Sequence, residues 1–189
     1  VIGQSDIGEY YNTLRSVAAF AQLEFHLTDK LDVVVGGRIT NDKKFGSFLF
    51  GRTAASLTLT ESDYKDTRFN YLLGVNYKLN PDVLLYAKYS TAYVAGGTSA
   101  SLPFEPETVK SAEAGIKAEF FNNKLRTNAT LWWADVKHLQ SPSSVQTAPD
   151  TFREICLRVS NPACNGDFIS VFVLDVGGKE SWGLEFEAM

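Results

Sequence analysis

The sequence predicts an all-β chain, a portion of an antiparallel up-and-down transmembrane β-barrel, and three observations carry that reading. Seven stretches alternate apolar and polar residues with period two, the pattern of strands whose two faces meet different surroundings. On one face of those stretches, 38 apolar-phase positions carry no charge. The connections between them alternate between short turns and long loops, the asymmetry of barrels that have short turns on one side of a membrane and long loops on the other.

The stretches run over residues 16–28, 31–42, 67–79, 83–96, 111–121, 125–138 and 180–188. They are nine to fourteen residues long, where a tilted membrane strand needs about 9–11. Thr28-Asp29-Lys30, Asn80-Pro81-Asp82 and Asn122-Asn123-Lys124 are the short connections. Asp, Asn and Pro suit them because they set turn dihedrals or hydrogen-bond their own backbone. Segments 43–66, 97–110 and 139–179 are the long connections. Within the last, the apolar stretch 168–176 suggests the two strands of a hairpin standing above the membrane.

Sorting the strands by face gives 38 apolar-phase positions, among them Val33, Phe69, Tyr71, Leu73, Tyr89, Tyr93, Ala95, Ile116, Trp133, Trp182 and Leu184, none of them charged. At the chain's 21% charged residues, about eight charges would fall there by chance. The opposite face holds the charges: Glu24, Asp32, Arg38, Arg68, Lys78, Lys88, Glu113, Lys117, Glu119, Arg126, Glu185 and Glu187. Of these, Glu24, Arg38, Arg68, Lys78, Lys88, Glu113, Lys117, Glu119, Arg126 and Glu185 are the candidate lumen-facing site residues. Sequential antiparallel pairing of about seven strands predicts an open curved sheet.

Composition excludes several classes. A net charge of −4 disfavours a nucleic-acid partner, which calls for a basic stripe. No apolar run approaches the roughly 18 residues of a membrane helix. His26 and His138 lie on separate strands without a ligand motif, no nucleophile elbow frames a serine, and Gly96-Gly97 lacks the Lys-Ser of a phosphate loop. The expectation is therefore no enzyme, no cofactor and no metal. Cys156 and Cys164 have seven residues between them in one loop; a disulfide in an oxidising compartment fits them, and so do two unpaired thiols. Trp132, Trp133 and Trp182 suit an interfacial girdle. The first residues form no signal peptide and the last form a strand pattern cut in mid-stride, so residues 1–189 read as part of a longer chain.

Specific strings resemble the barrel of TonB-dependent receptors. Val17-Ala18-Ala19-Phe20-Ala21-Gln22, then Leu27-Thr28-Asp29-Lys30-Leu31, Gly37-Arg38 and Asp42-Lys43-Lys44, form one such hairpin. Pro81-Asp82-Val83 through Tyr89-Ser90-Thr91 with Gly96-Gly97 forms another. The most specific string is Phe104-Glu105-Pro106-Glu107-Thr108-Val109-Lys110-Ser111, with Glu113, Gly115, Lys117, Phe120-Phe121-Asn122-Asn123-Lys124-Leu125-Arg126 and Asn128; Gly183-Leu184-Glu185-Phe186-Glu187 follows it. Ala92 departs from a common Gly, and Trp132-Trp133 from a common Phe and Tyr, both within strand chemistry. The resemblance implies a Gram-negative outer-membrane receptor segment for TonB-energised uptake of a scarce solute. A ferric siderophore comes first, then a cobalamin-like cofactor or an oligosaccharide; a passive porin-type channel is the alternative. It also implies as partners the outer-membrane lipid, the small-molecule solute, and a TonB-type energy-coupling protein acting through a plug domain that residues 1–189 do not contain.

Overall fold

The computed structural model describes residues 7–51, 57–99, 102–122, 124–143 and 172–189. Alternation without helix signals gives strands throughout. They are β1 (Ile7–His26), β2 (Leu31–Gly51), β3 (Thr58–Asn80), β4 (Val83–Val94), β5 (Gly97–Ser99), β6 (Leu102–Phe104), β7 (Glu107–Phe120), β8 (Leu125–Lys137), β9 (Gln140–Ser143), β10 (Phe172–Asp175) and β11 (Lys179–Ala188). Seven of them form one antiparallel sheet in the order β1-β2-β3-β4-β7-β8-β11. The order is that of the chain once two small hairpins, β5–β6 and β9–β10, are set aside. Among the described residues β1 and β11 each pair on one side only, so the sheet is open.

The short turns follow from their residues. Thr28 Oγ1 accepts hydrogen bonds from the amides of Lys30 (3.2 Å) and Leu31 (3.0 Å), and Asn80 Oδ1 accepts from the amide of Asp82 (2.9 Å). Phe121 and Asn122 turn with φ of 56° and 57°. Asn adopts this left-handed conformation readily, and Phe121 bears its cost.

The described parts of all three long connections include strands. Segment 43–66 is mostly strand: β2 and β3 continue in register from Asp42↔Asp66 to Phe50↔Thr58, and β1 extends to Ile7↔Gly51. Alternation of polarity fades there because the outward phase becomes Lys43, Phe45, Ser47 and Leu49 on β2 and Lys65, Asp63, Glu61 and Leu59 on β3. Segment 97–110 contains the β5–β6 hairpin and the start of β7. Within 168–176 the described part is one strand, β10, which pairs with β9 rather than with a neighbour inside that stretch. Cys156 and Cys164 lie outside the described residues.

The two faces separate as the alternation requires. Phe69 (65% exposed), Leu73 (49%) and Val75 (43%) project from one side of β3, and Leu184 and Phe186 from the same side of β11. On β3 this outward apolar run spans Phe69 to Leu79, about 34 Å along the strand at about 3.4 Å per residue. At a tilt near 40° that is roughly 26 Å of membrane, close to the apolar band of outer-membrane barrels. Phe69, Tyr71 and Tyr89 stack in sequence at 6.4 Å and 6.0 Å between ring centroids on the outward side. Trp133 and Trp182 are direct cross-strand partners on that side, with Trp133 Nε1 donating to Glu180 Oε1 at 2.6 Å.

In the intact barrel, Leu73→Arg places a charge at mid-band and costs about 2–4 kcal/mol, whereas Asn76→Arg on the other face does not. Heat-modifiable gel mobility of the assembled protein reads this directly: the shift is lost for the first and kept for the second.

Candidate functional site

The inward face of the sheet forms an open groove of about 610 Å³ to which every strand of the large sheet contributes, from Gln22 on β1 through Asn76, Tyr86, Glu113 and Thr130 to Glu185 on β11. Register and alternation put the ten candidate residues on one face of the sheet, and Lys88, Glu113, Lys117 and Glu185 among them line the groove.

At the short-turn end, His26 Nδ1 donates to Asp32 Oδ1 at 2.5 Å and Lys78 Nζ lies 3.5 Å from Asp32 Oδ2. The pairing His26↔Asp32 across β1 and β2 creates this contact. Glu24, His26 and Asp32 bring one ligand-type atom each to within 4.8 Å of one another. Reading residue by residue along single strands missed this group, and only the hairpin register could reveal it. Lys78 already supplies a cation to its most buried carboxylate. At the same end of the sheet but on β7 and β8, Arg126 Nε and Glu119 Oε1 pair at 2.9 Å.

At mid-height, Lys88 Nζ and Glu113 Oε2 pair at 2.9 Å as direct cross-strand neighbours. Such part-exposed pairs contribute about 1 kcal/mol or less. Tyr86 lies over Gly115, its own partner on β7, and its hydroxyl reaches Thr130 Oγ1 on β8 at 2.8 Å. A Cβ at Gly115 would come within 2.6 Å of the Tyr86 ring and 2.7 Å of the Ala129 carbonyl oxygen, so only glycine admits the crossing. Lys117 Nζ sits 5.3 Å from the centre of the same ring. Trp132 covers Gly183 in the same manner, which turns it inward and away from the girdle that holds Trp133 and Trp182.

At the long-loop end the sheet changes course. The β3–β4 ladder ends at Leu72↔Ser90. The next amide, Tyr71 N, donates to the Thr91 side-chain oxygen at 3.0 Å instead of a backbone carbonyl. β4 then follows β7 alone and crosses the inward face of β2 and β3. Tyr93, expected on the lipid side, is therefore turned inward, and Ala95 meets β2 through its backbone carbonyl. The Tyr93 hydroxyl donates to Asp42 Oδ2, the Gly96 amide donates to the Tyr64 hydroxyl at 3.2 Å, and Lys44 Nζ donates to the carbonyls of Ala95 (3.1 Å) and Gly96 (2.7 Å). Gly96 is required here, since a Cβ would stand 2.6 Å from the Phe104 carbonyl oxygen. Thr98 Oγ1 donates to Ser62 Oγ at 2.6 Å, which seats the β5–β6 hairpin on the sheet.

These contacts build a vestibule of aromatic rings and fixed charges. Lys44 lies 5.7 Å from the Tyr64 ring centre and 6.0 Å from that of Phe104. Tyr10 and Phe48 meet edge to face at 6.5 Å. Tyr10, Lys44, Ser62, Thr98 and Phe104 line a cavity of about 220 Å³ between sheet and hairpin. Burial pushes the Tyr64 hydroxyl up to about 12, helped by its hydrogen bond to Asp66, so it stays a donor at any physiological pH. Burial lowers the Lys44 pKa, and Asp42 opposes that. For Asp66 burial acts to raise the pKa, but Arg68, Tyr64 and the Thr67 amide outweigh it and the net shift is downward. Of the sequence candidates only Arg68 joins this vestibule, through Asp66 at 2.5 Å. Arg38 donates to Thr40 Oγ1 at 3.1 Å below it.

The comparisons with known proteins agree with the geometry. The family model for "TonB dependent receptor-like, beta-barrel" matches residues 4–189. The ferripyoverdine receptor of Pseudomonas aeruginosa is 26% identical over 118 residues, 60% of this chain and 13% of that protein. The ferric-pyoverdine 358 receptor of Pseudomonas putida is 25% identical over 146 residues, 76% of this chain and 17% of that protein. The chain thus spans less than a fifth of the length of either relative. Among solved structures, the ferric yersiniabactin uptake receptor of Yersinia pestis superposes with a TM-score of 0.72 at 20% identity, over 96% of this chain and 25% of that one. The siderophore receptor PiuA of Acinetobacter baumannii gives 0.66 at 15% identity, over 95% and 23%.

Asp42 is 6% exposed, and Tyr93 supplies its hydrogen bond. Tyr93→Phe leaves that carboxylate unpaired at a cost of about 1–3 kcal/mol. The expected outcome is a lower unfolding temperature of the full-length protein in detergent and faster proteolysis near residue 96; an unchanged melting curve would contradict the inward placement of Tyr93.

Proposed function

The chain belongs to the TonB-dependent receptor-like β-barrel family of Gram-negative outer-membrane proteins, and from that premise we propose that it is the barrel segment of a receptor for TonB-energised uptake of a ferric siderophore. The observation that supports this reading is the vestibule at the long-loop end, which is the extracellular end in such barrels. A ferric siderophore is a compact chelate with exposed oxygen ligands and, in many cases, flat conjugated rings. Rings such as Tyr10, Phe48, Tyr93 and Phe104 offer faces for stacking and apolar contact. Lys44 and Arg68 offer positive charge, held in place by carbonyls and by Asp66. The names of both curated relatives, each a receptor for ferric pyoverdine, favour iron chelates over cobalamin-like or oligosaccharide solutes.

Energised transport is the second part of the proposal. The inward charges from Glu24 to Glu185 form a polar wall against which a plug domain, supplied by the rest of the receptor, makes hydrogen bonds and ion pairs. The plug moves when a TonB-type protein pulls on it.

Cells that rely on the full-length receptor take up labelled iron from one purified ferric siderophore at a time. At least one siderophore is expected to give saturable uptake that a protonophore abolishes. Tyr64→Ala, which removes a ring beside Lys44, is expected to weaken binding about tenfold or more, given that a buried aromatic contact contributes about 1.5 kcal/mol or above. Uptake that persists with the protonophore would identify a passive channel instead.

A further inference from the structure

Directly above the apolar band, three cations stand side by side on the outward face of the sheet. Arg15 on β1 pairs with Lys43 on β2, and Lys43 pairs with Lys65 on β3. All three are exposed. None has an ion-pair or hydrogen-bond partner among the described residues. Like charges directly opposite one another destabilise a sheet, so the row needs an outside anion to offset it. The nearest outward carboxylates, Asp63 and Glu61, lie further from the membrane along β3.

The height of the row identifies the anion. Ala19, Ile39 and Phe69 form the last apolar rank, Val17, Asn41 and Thr67 the next, and Arg15, Lys43 and Lys65 the one beyond. Two ranks are four residues, about 13 Å along the strands and roughly 10 Å along the membrane normal at the tilt of such barrels. Long Lys and Arg side chains bend back towards the interface by several ångströms. Their charged ends therefore lie at the level of lipid headgroups.

We propose that Arg15, Lys43 and Lys65 form a docking site for the phosphate groups of a phosphorylated glycolipid headgroup in the outer leaflet. The site is independent of the transported solute. Each cation near an anionic membrane surface contributes about fivefold in affinity. The row spans three neighbouring strands about 4.8 Å apart, close enough for one headgroup to engage all three.

The test uses the full-length receptor purified in neutral detergent and titrated with diphosphorylated lipid A, with the same lipid after enzymatic dephosphorylation, or with inorganic phosphate. Melting temperature and co-migration on size exclusion are read for wild type, for Arg15→Gln/Lys43→Gln/Lys65→Gln, and for Lys30→Gln at the opposite end of the sheet. Expected are binding of diphosphorylated lipid A by wild type and by Lys30→Gln, on the order of 100-fold weaker binding by the triple variant, and little response to either control ligand. Without lipid, the triple variant is expected to melt at or above the wild-type temperature, because like-charge repulsion is gone. Equal binding by wild type and triple variant would overturn the proposal, as would equal binding of the dephosphorylated lipid. A response to inorganic phosphate alone would show a free-anion site instead of a lipid one. A triple variant that melts well below wild type without lipid would mean the cations serve the fold, and would also overturn it.

Discussion

A backbone amide in hydrocarbon has no water to turn to. Each N–H and C=O left unpaired there costs several kcal/mol, so a chain that crosses lipid as strands must pair each strand with its neighbours. The antiparallel ladder of β1-β2-β3-β4-β7-β8-β11 meets that requirement through long runs of unbroken register, twenty consecutive partners between β1 and β2 alone. Much else follows from it. Pairing fixes the phase of every side chain, and phase divides the strands into an apolar outward face and a polar inward one. It also sets Lys88 opposite Glu113 and His26 opposite Asp32. The glycines at 115 and 183 belong to the same constraint, because a ring lying across a partner strand needs the space of a missing Cβ.

Where the membrane ends, the constraint lapses, and the structure uses the freedom. At Thr91 a side-chain oxygen takes the amide that a carbonyl would otherwise accept. The ladder between β3 and β4 stops, and β4 leans inward with Tyr93, Gly96 and the β5–β6 hairpin. A wall becomes a vestibule through this single exchange of acceptors. Its polar groups are satisfied by the segments that crossed over: Lys44 by two carbonyls, Asp42 by Tyr93, and Asp66 by Tyr64, Arg68 and the Thr67 amide. Rings held this way keep their geometry without a bound solute, which lowers the ordering cost of capture.

The membrane-crossing parts were legible in the sequence because hydrocarbon imposes a strict period on them. Residues 67–79 read as a strand and are one, facing as expected. The extension of β2 and β3 above the membrane carries no strand signal in the sequence, because both faces are wet there and polarity no longer alternates. The phase of β4 carried past Thr91 points Tyr93 outward, and nothing local to Tyr93 signals that the pairing changes. Trp132 and Trp133 are adjacent and so face opposite ways; the pair of glycine and aromatic across β8 and β11 decides which one turns inward. That the charged residues share one face of the sheet follows from type and phase alone. The vestibule does not follow in that way, since Asp42, Lys44, Tyr64 and Tyr93 come together only after a strand crosses over.

The facing of the whole sheet depends on β3 crossing lipid with its odd-numbered residues outward. Single spin labels at positions 67 through 80 of the full-length receptor, reconstituted in bilayers, test it most directly. Oxygen, which concentrates among acyl chains, should relax labels at 69, 71, 73, 75 and 77 strongly and those at 70, 72, 74 and 76 weakly. A profile with a helical period, with the opposite phase, or with no period would contradict the account.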